Sequence, residues 1–398
     1  MLTSLAFIFL IGLSMAAICQ KLKLPRIIGM LITGIVLGPY VLNLLDPSIL
    51  SISSELRQMA LIIILLKAGL SLNLSDLKKV GRPAIMMSCV PASFEILAFF
   101  LFAPYLLEVS RIEAAVMGAV LGAVSPAVVV PRMVQFMDSR YGTQKSIPQL
   151  VMAGASCDDI FVIVLFTTFV SMAQGGQVHI MDFVNIPISI ILGIALGALV
   201  GFLLSIFFET AYAHKHCVRN SMKVIIVLGI SFMLMAIESW AEDFVSISGL
   251  LAVVSMACVL KLKSIAFVSK RLSEKFGKLW IAAEVILFVL VGAAVDIRYT
   301  MGAGLSAIAM IFLALIFRGI GVSICLVKTN LNWKERLFCV IAYLPKATVQ
   351  AAIGSVPLAM GLPCGQIVLS VAVLAILITA PLGDGFNIQK ITNTRGSK

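Results

Sequence analysis

Charge is what this chain has least of. Only 12% of its 398 residues are Asp, Glu, Lys or Arg, where a soluble domain carries about a quarter. Apolar residues make up 61%, and the mean hydropathy of +1.09 leaves no polar stretch long enough for a folded soluble domain. Cytosolic enzymes, secreted disulfide scaffolds and nucleic-acid-binding proteins are excluded together. The eight cysteines have no CxxC or comparable spacing and read as small core residues rather than zinc or redox sites. His214, His216 and Cys217 are close in sequence but lie among Lys215 and Arg219, the setting of a solvated loop. No GxxxxGK[ST] loop occurs, so ATP is not the expected energy source. The first apolar run lacks both a basic leader and a small-residue cleavage site, and is expected to stay as a helix.

What the chain does have is apolar runs. A bilayer crossing needs about 20 apolar residues, and thirteen runs qualify, near 2–19, 26–44, 55–72, 83–107, 112–134, 147–173, 183–209, 221–239, 244–260, 278–296, 302–327, 336–360 and 364–383. The expected class is an all-α membrane protein of about 13 transmembrane helices. Consecutive loops must alternate sides, and cations collect on the cytoplasmic one. The loops around 20–26, 78–82, 132–145, 215–223, 261–278 and 328–336, with the tail 385–398, hold 24 of the 30 Lys and Arg. Arg57, Arg111 and Arg298 fall on the other side, and Lys67, Arg318 and Lys346 inside spans. Such separation places the N-terminus outside and the C-terminus in the cytoplasm, and a bacterial-type inner membrane is the expected location. The surplus of +11 charges follows from this bias rather than from a polyanionic partner.

An odd number of spans also means that two copies of a seven-helix-offset repeat would be inverted, as in many secondary transporters. Spans five and twelve carry matching interruptions, Ser125-Pro126-Ala127-Val128-Val129-Val130-Pro131 and Leu344-Pro345-Lys346-Ala347-Thr348-Val349-Gln350. Proline removes a backbone donor and clashes with the preceding turn. A broken helix at membrane depth is tolerated where it is buried in protein or lines a cavity, so two broken crossing helices are expected.

Seven ionisable groups sit inside spans: Lys67, Glu95, Asp158, Asp159, Glu284, Arg318 and Lys346. Each costs at least about 2.5–3.5 kcal/mol at the bilayer centre and needs a partner or a purpose. Counted from the cytoplasmic ends, Glu95 is roughly 18 Å deep, Asp158 roughly 16 Å, Lys346 roughly 15 Å and Arg318 roughly 14 Å. Four spans thus converge on one level, with Asp159 beside it. Lys67 lies within snorkelling reach of its end, and Glu284 is read as a packing or inter-subunit contact. The cluster holds three acids and two bases, a formal charge of −1 that one monovalent cation or one proton neutralises. Ser125, Ser156 and Thr348 would add hydroxyl oxygens to the Asp158 and Asp159 carboxylates. The expected pairing is Asp158 with Lys346 and Glu95 with Arg318.

With these residues in view the chain resembles the monovalent cation/proton antiporter superfamily over nearly its whole length. Leu24-Pro25-Arg26-Ile27-Ile28-Gly29 with Gly34 and Gly38-Pro39 is similar to its second-helix signature, and Ser125-Pro126-Ala127-Val128-Val129 to its first crossing helix. Gly154-Ala155-Ser156-Cys157-Asp158-Asp159 is similar to the double-aspartate helix, and Ala372 to Leu382 to the final helix. Pro345-Lys346-Ala347-Thr348-Val349-Gln350-Ala351-Ala352 resembles the NHA-type branch that bacteria share with animals. The resemblance implies a homodimer with scaffold helices in 1–81 and 174–300 and a moving core in 82–173 and 301–384. It also implies exchange of Na⁺ or Li⁺ for H⁺, with Asp159 the exchanging carboxylate and Asp158 beside it on the Na⁺, Glu95, Arg318 and Lys346 in structural ion pairs, and no cofactor.

Many double-aspartate relatives carry lysine where this chain has Arg318. Arginine does not deprotonate in practice, so one proton per sodium is expected. Three rivals stand beside this reading: a K⁺/H⁺ antiporter, since selectivity rests on ligand distances; a cation channel, which needs several weak sites rather than one compact cluster; and an intramembrane aspartic protease, whose aspartates would come from two helices rather than from consecutive residues.

Overall fold

The computed structural model describes residues 1–22, 24–71, 81–125, 128–129, 132–133, 136–137, 142, 145–174, 180–213, 220–241 and 247–385. The regular elements among them are helices: α1 (Leu2–Lys21), α2 (Arg26–Leu37), α3 (Pro47–Ser51), α4 (Ser53–Ser71), α5 (Arg82–Met87), α6 (Val90–Leu106), α7 (Arg111–Gly122), α8 (Ile147–Gln174), α9 (Ile180–Ala213), α10 (Asn220–Ala241), α11 (Gly249–Lys263), α12 (Ala266–Ala293), α13 (Ile297–Cys325), α14 (Trp333–Ala342), α15 (Thr348–Gly354), α16 (Val356–Ala359) and α17 (Gly365–Gly385). Six described stretches are long and apolar enough to cross a membrane: Leu2–Lys21, Arg82–Leu106, Ile191–Glu209, Ser221–Ala241, Val268–Ala293 and Gly304–Cys325. Arg26–Leu37, Phe161–Gln174, Thr348–Ala359 and Gly365–Pro381 are apolar but shorter. The expected all-helical membrane class is what the chain adopts. His214, His216, Cys217 and the tail beyond Gly385 lie outside the described residues, as does the side chain of Ser156.

The chain forms two compact units. The first comprises Met1–Arg57, Asn73–Gln174 and Val285–Lys398, the second Gln58–Leu72 and Gly175–Glu284. In the second unit α9 packs along α11 on glycines four residues apart. A methyl group on Gly193, Gly197 or Gly201 would run into the carbonyl oxygen of Ser248, Ala252 or Met256, the small-residue contact that lets membrane helices approach closely. Lys67 is also in this unit, its ammonium 5.8 Å from the centre of the Trp280 ring, one helical turn before Glu284.

In the first unit the two interrupted runs fold in parallel ways. α7 opens with a capping box in which Glu113 N–H donates to Ser110 Oγ at 3.3 Å and Ser110 N–H to Glu113 Oε2 at 2.8 Å. α14 opens with another, Glu335 N–H to Asn332 Oδ1 at 2.9 Å and Asn332 N–H to Glu335 Oε2 at 2.7 Å. Each box satisfies first-turn donors. Both helices then stop early. At 12 and 10 residues they rise about 18 and 15 Å, half of an apolar layer of about 30 Å. Ala123, Val124 and Ser125 are not helical, and neither are Leu344, Pro345, Lys346 and Ala347. The residue before a proline is pushed out of the α region, and Ser125 and Leu344 each precede one. α6 and α8 flank these breaks, while α13 and α17 bring in the remaining side chains.

Candidate functional site

The two breaks meet. Ser125 N–H donates to the Pro345 carbonyl at 2.9 Å, joining non-helical segments about 220 residues apart in sequence. Ending two helices inside an apolar layer strands their last carbonyls and exposes the negative ends of their dipoles. Buried cations cover them. Lys346 Nζ donates to the carbonyls of Leu121 at 2.5 Å and Ala123 at 3.1 Å. Arg318 Nη1 donates to the Gly122 carbonyl at 2.5 Å and Nε to the Tyr343 carbonyl at 2.6 Å. Gln350 spans both breaks with one carboxamide: Nε2 donates to the Ala123 carbonyl at 2.7 Å, and Oε1 accepts Ala347 N–H at 2.8 Å. Lys346 N–H donates to Thr379 Oγ1 at 2.9 Å.

The acids complete the network. Glu95 Oε2 accepts from Arg318 Nη1 at 2.8 Å and from Lys346 Nζ at 2.6 Å. Asp158 Oδ2 accepts Val124 N–H at 2.8 Å and Arg318 Nη2 at 3.0 Å. All four charged side chains are buried. The expected pairing is therefore corrected in one half. Glu95 does pair with Arg318, but the partner of Lys346 is Glu95, and Asp158 is held by Arg318. The guanidinium fork presents donors in several directions and reaches two acids at once, whereas the lysine ammonium is a point charge drawn to the converging carbonyls at the end of α7. Depth alone did not separate the two arrangements, because all four groups lie at one level.

Asp158 and Asp159 follow one another on α8, about 100° apart around the helix. Asp158 Oδ1 and Asp159 Oδ1 are buried without a hydrogen-bond partner. Ser125 Oγ lies 3.4 Å from Thr348 Oγ1 and 3.5 Å from Thr348 N, both long for hydrogen bonds. Two carboxylates and two loosely bonded hydroxyls thus supply oxygens near the crossing. Such a set suits a hard cation or a proton. Charges balance among Glu95, Asp158, Arg318 and Lys346, so Asp159 carries the one left over.

Tyr343, Thr379 and Gln350 belong to the network although the sequence reading assigned them no role. The Tyr343 hydroxyl donates to the Met87 carbonyl at 2.8 Å, and its ring centre lies 5.1 Å from the Arg318 guanidinium carbon. Gln350 had a legible signal in its place three residues into a helix, where a side-chain acceptor reaches back to a stranded N–H. Met87, Val124, Leu150, Ala155 and Phe338 pack with Tyr343 in one apolar cluster, which keeps the surroundings of the ion pairs at low dielectric. Farther out, Lys145 before α8 pairs at 2.7 Å with buried Glu335 in the first turn of α14. That contact ties together the two helices that carry Asp158 and the second break.

Known proteins are similar to this chain in sequence and in fold. The family described as sodium/hydrogen exchanger, transmembrane, matches residues 5–387. Human sodium/hydrogen exchanger 9B2 is 34% identical over 376 residues, covering 91% of this chain and 68% of its own length. Human sodium/hydrogen exchanger 9B1 is 31% identical over 384 residues, covering 90% and 70%. Among solved structures, the sodium proton antiporter MjNhaP1 of Methanocaldococcus jannaschii at pH 8 superposes with a TM-score of 0.78 at 21% identity, over 96% of this chain and 94% of that one. At that identity the superposition speaks for the fold alone. By the family match and the identity to the 9B exchangers, the chain belongs to the transmembrane sodium/hydrogen exchanger family.

Proposed function

We propose that the protein is a secondary active antiporter that exchanges Na⁺ or Li⁺ for H⁺, one for one, by alternating access, with Asp159 as the carboxylate for which cation and proton compete. The observation that carries this reading is the charge remainder. Two buried acids and two buried bases satisfy one another, and the adjacent Asp159 keeps a buried oxygen without a partner. A single cation or a single proton neutralises it, and a buried charge left bare is penalised. Either cargo lets the site cross, and the empty site is held back.

In this reading Asp158 supplies a second carboxylate oxygen, with Ser125, Thr348 and Ser156 as neutral ligands. Arg318, Glu95 and Lys346 hold the broken helices. Residues 82–173 and 301–384 form the moving core, and 1–81 and 174–300 the scaffold of a homodimer. The chain crosses a bacterial-type inner membrane thirteen times with its N-terminus outside. Its partners are the transported ions, protons and lipid, and it requires no cofactor. K⁺/H⁺ exchange is the alternative, and the same experiment separates the two.

Purified protein in liposomes is loaded with a pH-sensitive dye and challenged with Na⁺, Li⁺ or K⁺. Proton flux with Na⁺ and Li⁺ is expected, and its apparent sodium affinity weakens as pH falls because protons compete for the same carboxylate. Asp159→Asn is expected to fold and to lose exchange. Flux with K⁺ alone identifies the potassium exchanger. A sodium affinity that does not change with pH, or an active Asp159→Asn, contradicts the assignment.

A further inference from the structure

Arg57 stands apart from every other described cation of the first unit's spans. It belongs to the few basic residues expected outside the cytoplasm and lies in α4, four residues after the helix begins at Ser53. Its side chain is 5% exposed, and both Nε and Nη1 are buried without a hydrogen-bond partner. The contrast with Arg318 is direct, since there every nitrogen of the fork has an acceptor. Arg111, also expected outside, lies with its guanidinium carbon 5.6 Å from the Phe100 ring centre. Glu55 does not repair the deficit. It is exposed, accepts from the Ser54 hydroxyl at 2.7 Å, and acts on Arg57 only as a nearby charge, with no hydrogen bond from Nε or Nη1.

A buried guanidinium with two nitrogens that find no oxygen is costly, and buried polar groups are otherwise nearly always paired. We propose that Arg57 is the seat of an oxyanion site filled by the phosphate of an anionic lipid headgroup. The planar fork matches two phosphate oxygens. The site lies in the second turn of α4, near the positive end of the helix dipole, which favours an anion. Arg57 is about 6 Å from the start of the helix, followed by the apolar run 59–66, and so sits at headgroup level rather than at the depth of the ion pairs. A free phosphate has the same chemistry, and the experiment tells the two sources apart.

The full chain is purified and delipidated in detergent, with choline salts to avoid loading the transport site. Its melting midpoint is followed while phosphatidylglycerol, phosphatidylcholine or inorganic phosphate is added, and retained lipid is counted by native mass spectrometry. For the wild type, phosphatidylglycerol is expected to raise the midpoint above that with phosphatidylcholine. It should also be retained at least about tenfold better, the ratio that one charge-assisted hydrogen bond confers. Arg57→Gln is expected to erase both differences while keeping sodium-driven exchange. Arg57→Met, free of an unpaired charge, is expected to melt no lower than the wild type in phosphatidylcholine. Inorganic phosphate matching phosphatidylglycerol overturns the lipid source. A wild type indifferent to both additions, or an Arg57→Met that melts far below it in phosphatidylcholine, overturns the site itself.

Discussion

The break after α7 and the break after α14 solve the same problem in opposite ways. Both end a capped half-helix inside an apolar layer. The first presents three carbonyls, on Leu121, Gly122 and Ala123, and every donor that meets them comes from elsewhere in the chain. The second carries its own chemistry: Lys346 lies within it and Gln350 follows in the first turn of α15, and both reach across to the first. Arg318 bridges the two by bonding Gly122 and Tyr343. Side-chain donation between the breaks therefore runs from the second to the first, while the backbone bond from Ser125 N–H to the Pro345 carbonyl runs the other way. Equal lesions in the two should have unequal effects, although an inverted repeat would suggest symmetry.

Lys346→Met breaks this comparison most severely. The substitution leaves the Leu121 carbonyl without its donor and Glu95 with Arg318 alone. Removing one partner of a buried ion pair costs about 3–5 kcal/mol. A large drop in melting midpoint and loss of exchange are expected, and a variant as stable as the wild type would mean that Lys346 does not hold the crossing.

Gln350→Leu comes next. It strands the buried Ala347 N–H, while the Ala123 carbonyl keeps Lys346. A cost of about 1–3 kcal/mol follows for the orphaned donor, and Gln350→Glu, which can still accept from Ala347, is expected to recover part of it in the same melt.

Ser125→Ala has the smallest expected effect on stability, about 0.5–1 kcal/mol or less, since its hydroxyl makes only long contacts. Its weight falls instead on transport, as a raised half-saturating sodium concentration. Equal destabilisation by Gln350→Leu and Ser125→Ala would erase the distinction between the two breaks.

The breaks and the ion pairs that hold them differ in how far they could be read from sequence. Both interruptions were visible, because Pro126 and Pro345 lie in otherwise apolar runs. The convergence of Glu95, Asp158, Arg318 and Lys346 was visible as well, because an intramembrane charge is conspicuous and a helix turns position into depth. Pairing was not visible. Four groups at one level permit either arrangement, and the choice rests on stranded carbonyls whose directions only the folded breaks define. Thr379 and Tyr343 escaped for a related reason: they act through hydroxyls and, for Tyr343, a backbone carbonyl, and residue type alone does not reveal which groups these meet. The orphaned donors of Arg57 lie further still from anything that spacing discloses.

Stoichiometry tests the charge remainder most directly. Arg318 stays charged, and the Lys346 ammonium is engaged by Glu95 and two carbonyls, so one proton should leave Asp159 for each sodium that binds. On solid-supported membranes a sodium jump should give no transport current, and exchange in liposomes clamped with valinomycin and potassium should ignore the membrane potential. A sodium-driven current that disappears in Asp159→Asn would contradict this, and would mean that a second proton moves, with Lys346 as the group that releases it.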